Sequence, residues 1–294
     1  MKMLFLYNPY AGKAQIKNHL CEILDIFTKN GYFVTAYPTQ AQSDAYEKIK
    51  SFGAEYDVVV VSGGDGTLNE GVRGMMELQG ESTCVFGYIP AGTVNDFAFS
   101  LGIPKYMPDA ARNIVNGSPF LCDVGKFQER YFSYVAAFGA FTEVSYETSQ
   151  EQKNMLGHLA YVLQGIKKLS SLTEYHLTIE HDGKFTDGEF IFGMVSNSYS
   201  VAGIKCNDNR KVNLDDGLFE TIFIKVPENL LDLQATITDL LRQNFQSPYL
   251  VTLRARKIII ISDEKIAWTL DGEYGGEYLK TAIEVCPKRL NILV

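Results

Sequence analysis

Apolar positions in the first 125 residues fall into two alternating patterns. MLFLY at 3–7 is a continuous apolar run, and Ile16, Leu20, Ile23, Leu24 and Phe27 then recur at the spacing of one helix face. Gly31 stands just past that helix, where a left-handed cap is wanted. An extended YFVTAY at 32–37 follows, then a helix opened by Ser43 or Asp44 and the strand VVVV at 58–61. A helix carrying Leu68, Val72 and Met75 leads to the strand CVFGYI at 84–89. Strands alternating with helices this regularly predict a parallel sheet covered on both faces.

Beyond about residue 125 short extended runs dominate: RYFSYVA at 130–136, YHLTI at 175–179, EFIFGMV at 189–195, LFETIFIKV at 218–226, RKIIIIS at 256–262 and IAWTL at 266–270. Asp182 and Gly183 mark a hairpin turn between two strands. Only 151–170 and 228–244 read as helical. The fold class is therefore α/β plus β: a parallel-sheet domain over 1–125 and an antiparallel β-sandwich over 126–286. The tail RLNILV at 289–294 is one more strand, and residues 287–294 are candidates to return to the first sheet.

Composition narrows the function. The 294 residues carry 27 Lys and Arg against 35 Asp and Glu, a formal charge of −8, which argues against a nucleic-acid binder that neutralises phosphates along a basic face. At 46% hydrophobic and 21% charged the chain is globular rather than disordered. Five scattered cysteines, never spaced as CxxC, suggest neither a disulfide framework nor a zinc site, and reduced thiols in a cytoplasmic protein fit them best. The N-terminal apolar run stops at Asn8 and Pro9, too early for a signal peptide, and no stretch approaches the roughly 18 apolar residues of a membrane span. The four histidines form no ligand spacing, and Trp268 reads as core.

Three turns share one design, in which a strand ends, small residues follow and a helix begins. They are NPYAGK (Asn8 to Lys13), SGGDGTLNEG (Ser62 to Gly71) and PAGTVNDFA (Pro90 to Ala98). In a parallel sheet all three lie at the carboxyl edge, where ligands bind, and free N–H groups at the helix starts suit an anion. Together they describe a phosphate site. Neither familiar nucleotide fingerprint fits: Asn69 stands where GxGxxG requires glycine, and Gly12-Lys13 lacks the upstream glycine and the hydroxyl residue of a P-loop.

GGDGT at 63–67 followed by LNE resembles the signature of the diacylglycerol kinase catalytic family, which also includes sphingosine kinases and soluble bacterial lipid kinases. NAD kinases and phosphofructokinase-like enzymes share similar turns. The discriminating match is the set of NPYAG at 8–12, GGDGTLNE at 63–70, PAGTVNDFA at 90–98, LDDGLFE at 214–220 and LDGE at 270–273, in the family's order along nearly the whole chain. The resemblance implies an NAD kinase-like nucleotide domain that binds ATP through Asn8, Pro9, Tyr10, Ala11, Gly12, Thr39, Gly64, Asp65, Gly66, Thr67, Leu68, Asn69, Glu70, Thr93, Asn95 and Asp96. Ala11 departs from the serine of many relatives. It further implies Mg²⁺ linked to Asp65 and Asp96, and a structural magnesium site at the LDDG loop using the Asp216 carboxylate and the carbonyls of Asn213 and Leu218.

The implied reaction is ATP-dependent phosphorylation of the primary hydroxyl of a diacylglycerol-like lipid. A lipid hydroxyl loses its proton as it attacks the γ-phosphate, and a positioned carboxylate accepts it. By resemblance that acceptor is Glu273. Asp271 stays open beside it, because residues two apart on a strand face the same side. Alternatives are a kinase of a soluble acceptor such as NAD, or a lipid-binding module without turnover. The expected partners are a lipid at a membrane surface and, through an exposed sheet edge, a second copy in a homodimer; no nucleic acid is expected. At 151–172, Met155, Leu156, Leu159, Leu163 and Ile166 make an apolar stripe beside Lys167 and Lys168. The general reading is a helix packed on its own domain, and the alternative is an interfacial helix gripping anionic headgroups.

Overall fold

The computed structural model describes residues 1–78, 83–92, 95–139, 172–198, 200–201, 204–205, 213–242 and 244–294. They form two units, one of residues 1–124 with 287–294 and one of residues 125–286. Thr93, the amphipathic stretch at 151–170, His158 and Cys206 lie outside the described residues.

The first unit contains β1 (Lys2–Tyr7), α1 (Ile16–Lys29), β2 (Phe33–Pro38), α2 (Asp44–Phe52), β3 (Val58–Gly63), α3 (Asp65–Leu78), β4 (Val85–Pro90), α4 (Asp96–Ser100) and α5 (Met107–Asn116), followed by β5 (Pro119–Phe127). The sheet order β2, β1, β3, β4 is parallel throughout, with Phe5 opposite Ala36 and Val60, and Val60 opposite Gly87. All six residues of β3 are buried, which a strand achieves only when both faces of its sheet are covered. Two helix pairs do this, α1 with α5 and α2 with α3. From the last strand of the chain, Ile292 pairs in parallel with Phe86 of β4.

The second unit holds β6 (Arg130–Phe132), β7 (Val135–Gly139), β8 (Tyr175–His181), β9 (Lys184–Ser196), the short pair β10 (Ser200–Val201) and β11 (Ile204–Lys205), β12 (Phe219–Lys225), α6 (Leu230–Leu241), β13 (Leu250–Ala255) and β14 (Lys257–Leu270). β15 (Glu273–Leu293) begins there and ends in the first unit. Pairing within the unit is antiparallel. β9 runs beside β8 through Phe190 and beside β7 from Phe192, and β14 likewise serves β8 with Ile258–Ser262 and β7 with Trp268–Leu270. The ladder β9, β7, β14, β8 therefore closes on itself, and its Phe138, Phe190 and Trp268 share one buried cluster with Phe127 of β5 and Phe223 of β12. Trp268 is fully buried, 4.8 Å from Phe138 and 5.1 Å from Phe127 between ring centroids. Each such aromatic contributes about 1.5–3 kcal/mol through burial.

Two expectations change. Polar SDEK at 262–265 separates two strands in the sequence pattern, yet β14 is continuous, and a register shift between Ile261 and Ile266 absorbs the polar residues. Asp271 and Glu273 do not share a strand face. Leu270 pairs with Glu273, so Asp271 and Gly272 are the two central residues of a tight hairpin, at φ 50° and 86°. Left-handed values at both positions define the turn that Asp-Gly favours.

Candidate functional site

In the first unit the ends of β1, β3 and β4 extend into the three glycine-bearing loops. The strand ladder carries on past them: Asn8 N–H donates to the Ser62 carbonyl at 2.8 Å, and Ala91 N–H to that of Gly63 at 2.8 Å. Asn8 then turns its own loop, its Oδ1 accepting the Tyr10 N–H at 2.9 Å. Gly12 has φ 49°, and a Cβ there would stand 1.5 Å from the Ala91 carbonyl oxygen; a Cβ on Gly92 would stand 2.9 Å from Gly64 Cα. The three loops are thus packed backbone against backbone, an approach that only glycine permits.

Side chains lock this arrangement. Asn95, at φ 57°, accepts the Gly92 N–H on Oδ1 at 2.9 Å and donates from Nδ2 to the Gly92 carbonyl at 2.6 Å. Beneath the loops the buried Tyr88 hydroxyl donates to the Gly63 carbonyl at 3.0 Å and stands 3.5 Å from Asn95 Oδ1. Burial pushes the Tyr88 phenol well above its ordinary range, and the charge of Asp65 adds to the effect. Thr39 continues β2, its N–H donating to the Tyr7 carbonyl at 2.9 Å. Tyr10 is exposed, with the Lys17 ammonium 5.2 Å above its ring.

The predicted nucleotide residues therefore divide. Asn8 to Gly12, Gly64 to Gly66, Asn95 and Asp96 lie on or beside the interlocked loops. Leu68 is fully buried core, and Asn69 is nearly so. Glu70 points to α2: its Oε1 accepts the Ser43 N–H at 2.7 Å and its Oε2 the Ala45 N–H at 3.1 Å. Ser43 itself is left-handed and makes no side-chain cap, so Glu70 caps α2 from another helix.

Asp65 opens α3 and Asp96 opens α4. Their carboxylate oxygens are the hard donors that magnesium takes, and the charge of Asp65 reaches Tyr88. By donor type each of the two suits the ion. At the LDDG loop the expected donors are the Asp216 carboxylate and the carbonyls of Asn213 and Leu218. Asp216 Oδ1 accepts the Leu218 N–H at 3.1 Å and its Oδ2 accepts from Arg254 at 2.7 Å, so this carboxylate faces a protein cation. Arg254 also donates from Nε to Glu220 Oε1 at 3.0 Å. Burial pushes the Glu220 carboxyl up to about 7, with Arg254 opposing and Asp216 adding. Among the described residues no group of three or more His, Cys, Asp or Glu is arranged to hold a metal ion.

In the second unit the two acids of LDGE have different surroundings. Asp271 is buried, and its carboxylate accepts three consecutive backbone N–H groups: Ser133 at 2.6 Å on Oδ2, and Tyr134 and Val135 at 3.0 Å each on Oδ1. Glu273, the first residue of β15, is partly exposed. Sequence reasoning did not find Tyr88, Arg254 or the amides of 133–135. Tyr88 sits inside an apolar strand with no motif, and the others act on partners far away in the chain.

Residues 2–127 match the family model described as diacylglycerol kinase catalytic domain, and residues 135–294 that described as YegS C-terminal NAD kinase beta sandwich-like domain. A diacylglycerol kinase of Bacillus subtilis (strain 168) is 36% identical over 276 residues, covering 92% of this chain and 89% of that protein. Another, of Staphylococcus carnosus (strain TM300), is 37% identical over 290 residues, covering 95% and 93%. The crystal structure of a diacylglycerol kinase from Bacillus anthracis str. Sterne has the same fold, with a TM-score of 0.77 at 23% identity over 99% of this chain and 96% of the other. No helix among the described residues is long and apolar enough to cross a membrane.

Proposed function

The chain belongs to the diacylglycerol kinase catalytic family, and from that premise we propose that it transfers the γ-phosphoryl group of ATP to the hydroxyl of diacylglycerol or a related lipid. The single observation that supports this most is the interlock of three loops, Gly12 on Ala91 and Gly92 on Gly64. A triphosphate is best held by many backbone N–H groups in fixed positions, and loops packed this closely cannot drift apart as charge moves. Asn8 to Gly12, Thr39, Gly64 to Thr67, Thr93, Asn95 and Asp96 form the proposed nucleotide site. Leu68, Asn69 and Glu70 act beneath it, holding α3 and the start of α2.

Phosphoryl transfer asks little covalent chemistry of a protein, so positioning supplies most of the acceleration. The acceptor oxygen bonds to the γ-phosphorus while the bond from that phosphorus to the bridging oxygen of ADP breaks, and ADP leaves with the electron pair. The hydroxyl proton passes to the Glu273 carboxylate, help typically worth about 10²–10⁴ in rate. We place the base at Glu273 rather than Asp271, whose oxygens accept from the amides of 133–135. Magnesium supplies charge neutralisation at the phosphate oxygens when bound, and Asp65 and Asp96 are the residues that would hold it. A lipid acceptor brings the protein to a membrane surface during turnover.

The test supplies labelled ATP to the purified chain with vesicles of a total lipid extract, and in a parallel reaction with NAD. Label in lipid is expected. Label in the dinucleotide alone, or none in either, overturns the reading.

A further inference from the structure

An Asp-Gly turn needs no buried carboxylate, and the second such turn in this unit shows what the ordinary arrangement looks like. Asp182 and Gly183 join β8 to β9 at φ 48° and 79°, and Asp182 accepts the N–H groups of Arg256 and Lys257 at 3.2 and 3.3 Å from an exposed position. Asp271 differs in three respects. It is only 4% exposed, it gathers three amides at 2.6–3.0 Å, and its own N–H donates to the Val135 carbonyl at 2.8 Å. Those four bonds tie the turn to the start of β7 from both its side chain and its backbone. Glu273 is the first residue after the turn, paired with Leu270, so any tilt of the turn swings Glu273 with it.

We propose that Asp271 is the positioning residue for Glu273, its carboxylate fixing the turn against Ser133–Val135 so that the base is held in one place. This rests on the reading of Glu273 as base. Charge-assisted bonds to backbone amides are short and directional, the property required to hold a neighbouring group to a fraction of an ångström. The role needs a carboxylate in particular. An amide in its place can accept from Tyr134 and Val135, but then sets a second N–H donor against Ser133.

Asp271→Asn is the informative variant, because Asn-Gly favours the same turn and keeps the backbone while removing one acceptor. It should lower kcat by roughly 10²-fold, the cost of misplacing a reacting group by about 1 Å, and leave the KM for ATP unchanged. Asp182→Asn should leave kcat unchanged. In the double variant Asp271→Asn/Glu273→Gln, kcat should equal that of Glu273→Gln alone, since a positioning residue has nothing left to position. Hydrogen exchange at Ser133–Val135 should quicken locally in Asp271→Asn. An inactive Glu273→Gln with full kcat in Asp271→Asn overturns the positioning role and spares the base. A fully active Glu273→Gln overturns the base and the positioning role with it. Multiplying losses in the double variant make Asp271 a general structural residue and overturn the proposal as well. If Asp271→Asn fails to fold, Gly272→Ala strains the same turn at φ 86° with open space around the new methyl. Wild-type kcat in that variant overturns the proposal.

Discussion

Gly12 and Ala91 meet so closely that a methyl on the first would overlap the carbonyl oxygen of the second, at 1.5 Å. The contact joins the first of the proposed nucleotide loops to the third. Gly12→Ala must part the two loops and also place alanine at φ 49°. It should cost about 1–3 kcal/mol of stability. The KM for ATP should rise on the order of tenfold or more, with a smaller change for the lipid, as expected for lost nucleotide binding. Steady-state kinetics with each substrate varied in turn checks this.

Glu70 lies within the signature motif but serves a neighbouring helix. Glu70→Ala leaves the Ser43 and Ala45 N–H groups without their carboxylate, and should cost about 0.5–2 kcal/mol, the usual worth of a helix cap. A urea melt measures the loss. Glu70→Gln should recover only part of it, because one of its two terminal atoms is a donor.

How much of this was legible follows from where each partner lies in the chain. The three glycine-bearing loops could be read because their form is backbone and local: strand, glycine, helix start, within ten residues. The hydrogen bonds of Asp271 could not, because its amide partners are 136 to 138 residues away in the chain. In the sequence Asp271 is a carboxylate two positions before Glu273 and stands open beside it as a candidate base. α5 escaped notice because Ala110 and Ala111 supply much of its buried face, and alanine adds little to an apolar pattern. β15 was visible only at its end, since Gly275, Gly276 and Pro287 punctuate a strand whose pairing is set by β14 rather than by local preference.

Arg254 pairs with the Asp216 carboxylate of the LDDG loop and with Glu220. The unliganded wild-type protein should melt at the same temperature in millimolar Mg²⁺ as in chelator. Arg254→Met should lose on the order of 3 kcal/mol, because Glu220 and Asp216 would face each other without their shared cation. Its melting temperature should then rise with Mg²⁺. Calorimetry on both proteins decides the matter.

His176 supplies a pH signature. It stands opposite Glu189 across β8 and β9, and the Glu189 hydrogen bond raises its pKa, helped by Asp187 and Asp263 and opposed by partial burial. A raised histidine stabilises fully below its unfolded value and loses that contribution as pH climbs through the folded value. The melting temperature of wild type should exceed that of His176→Gln most at about pH 5.5, and the two should converge by about pH 9.

The proposed reaction turns on Glu273 taking a proton from a lipid hydroxyl, and one paired measurement tests it. Wild type and Glu273→Gln are given γ-labelled ATP and diacylglycerol vesicles, and ATP affinity is measured in parallel by calorimetry. The predicted result is labelled lipid from wild type, at least about 10²-fold slower labelling by the variant, and equal ATP affinity. Labelling by the variant at the wild-type rate would contradict it.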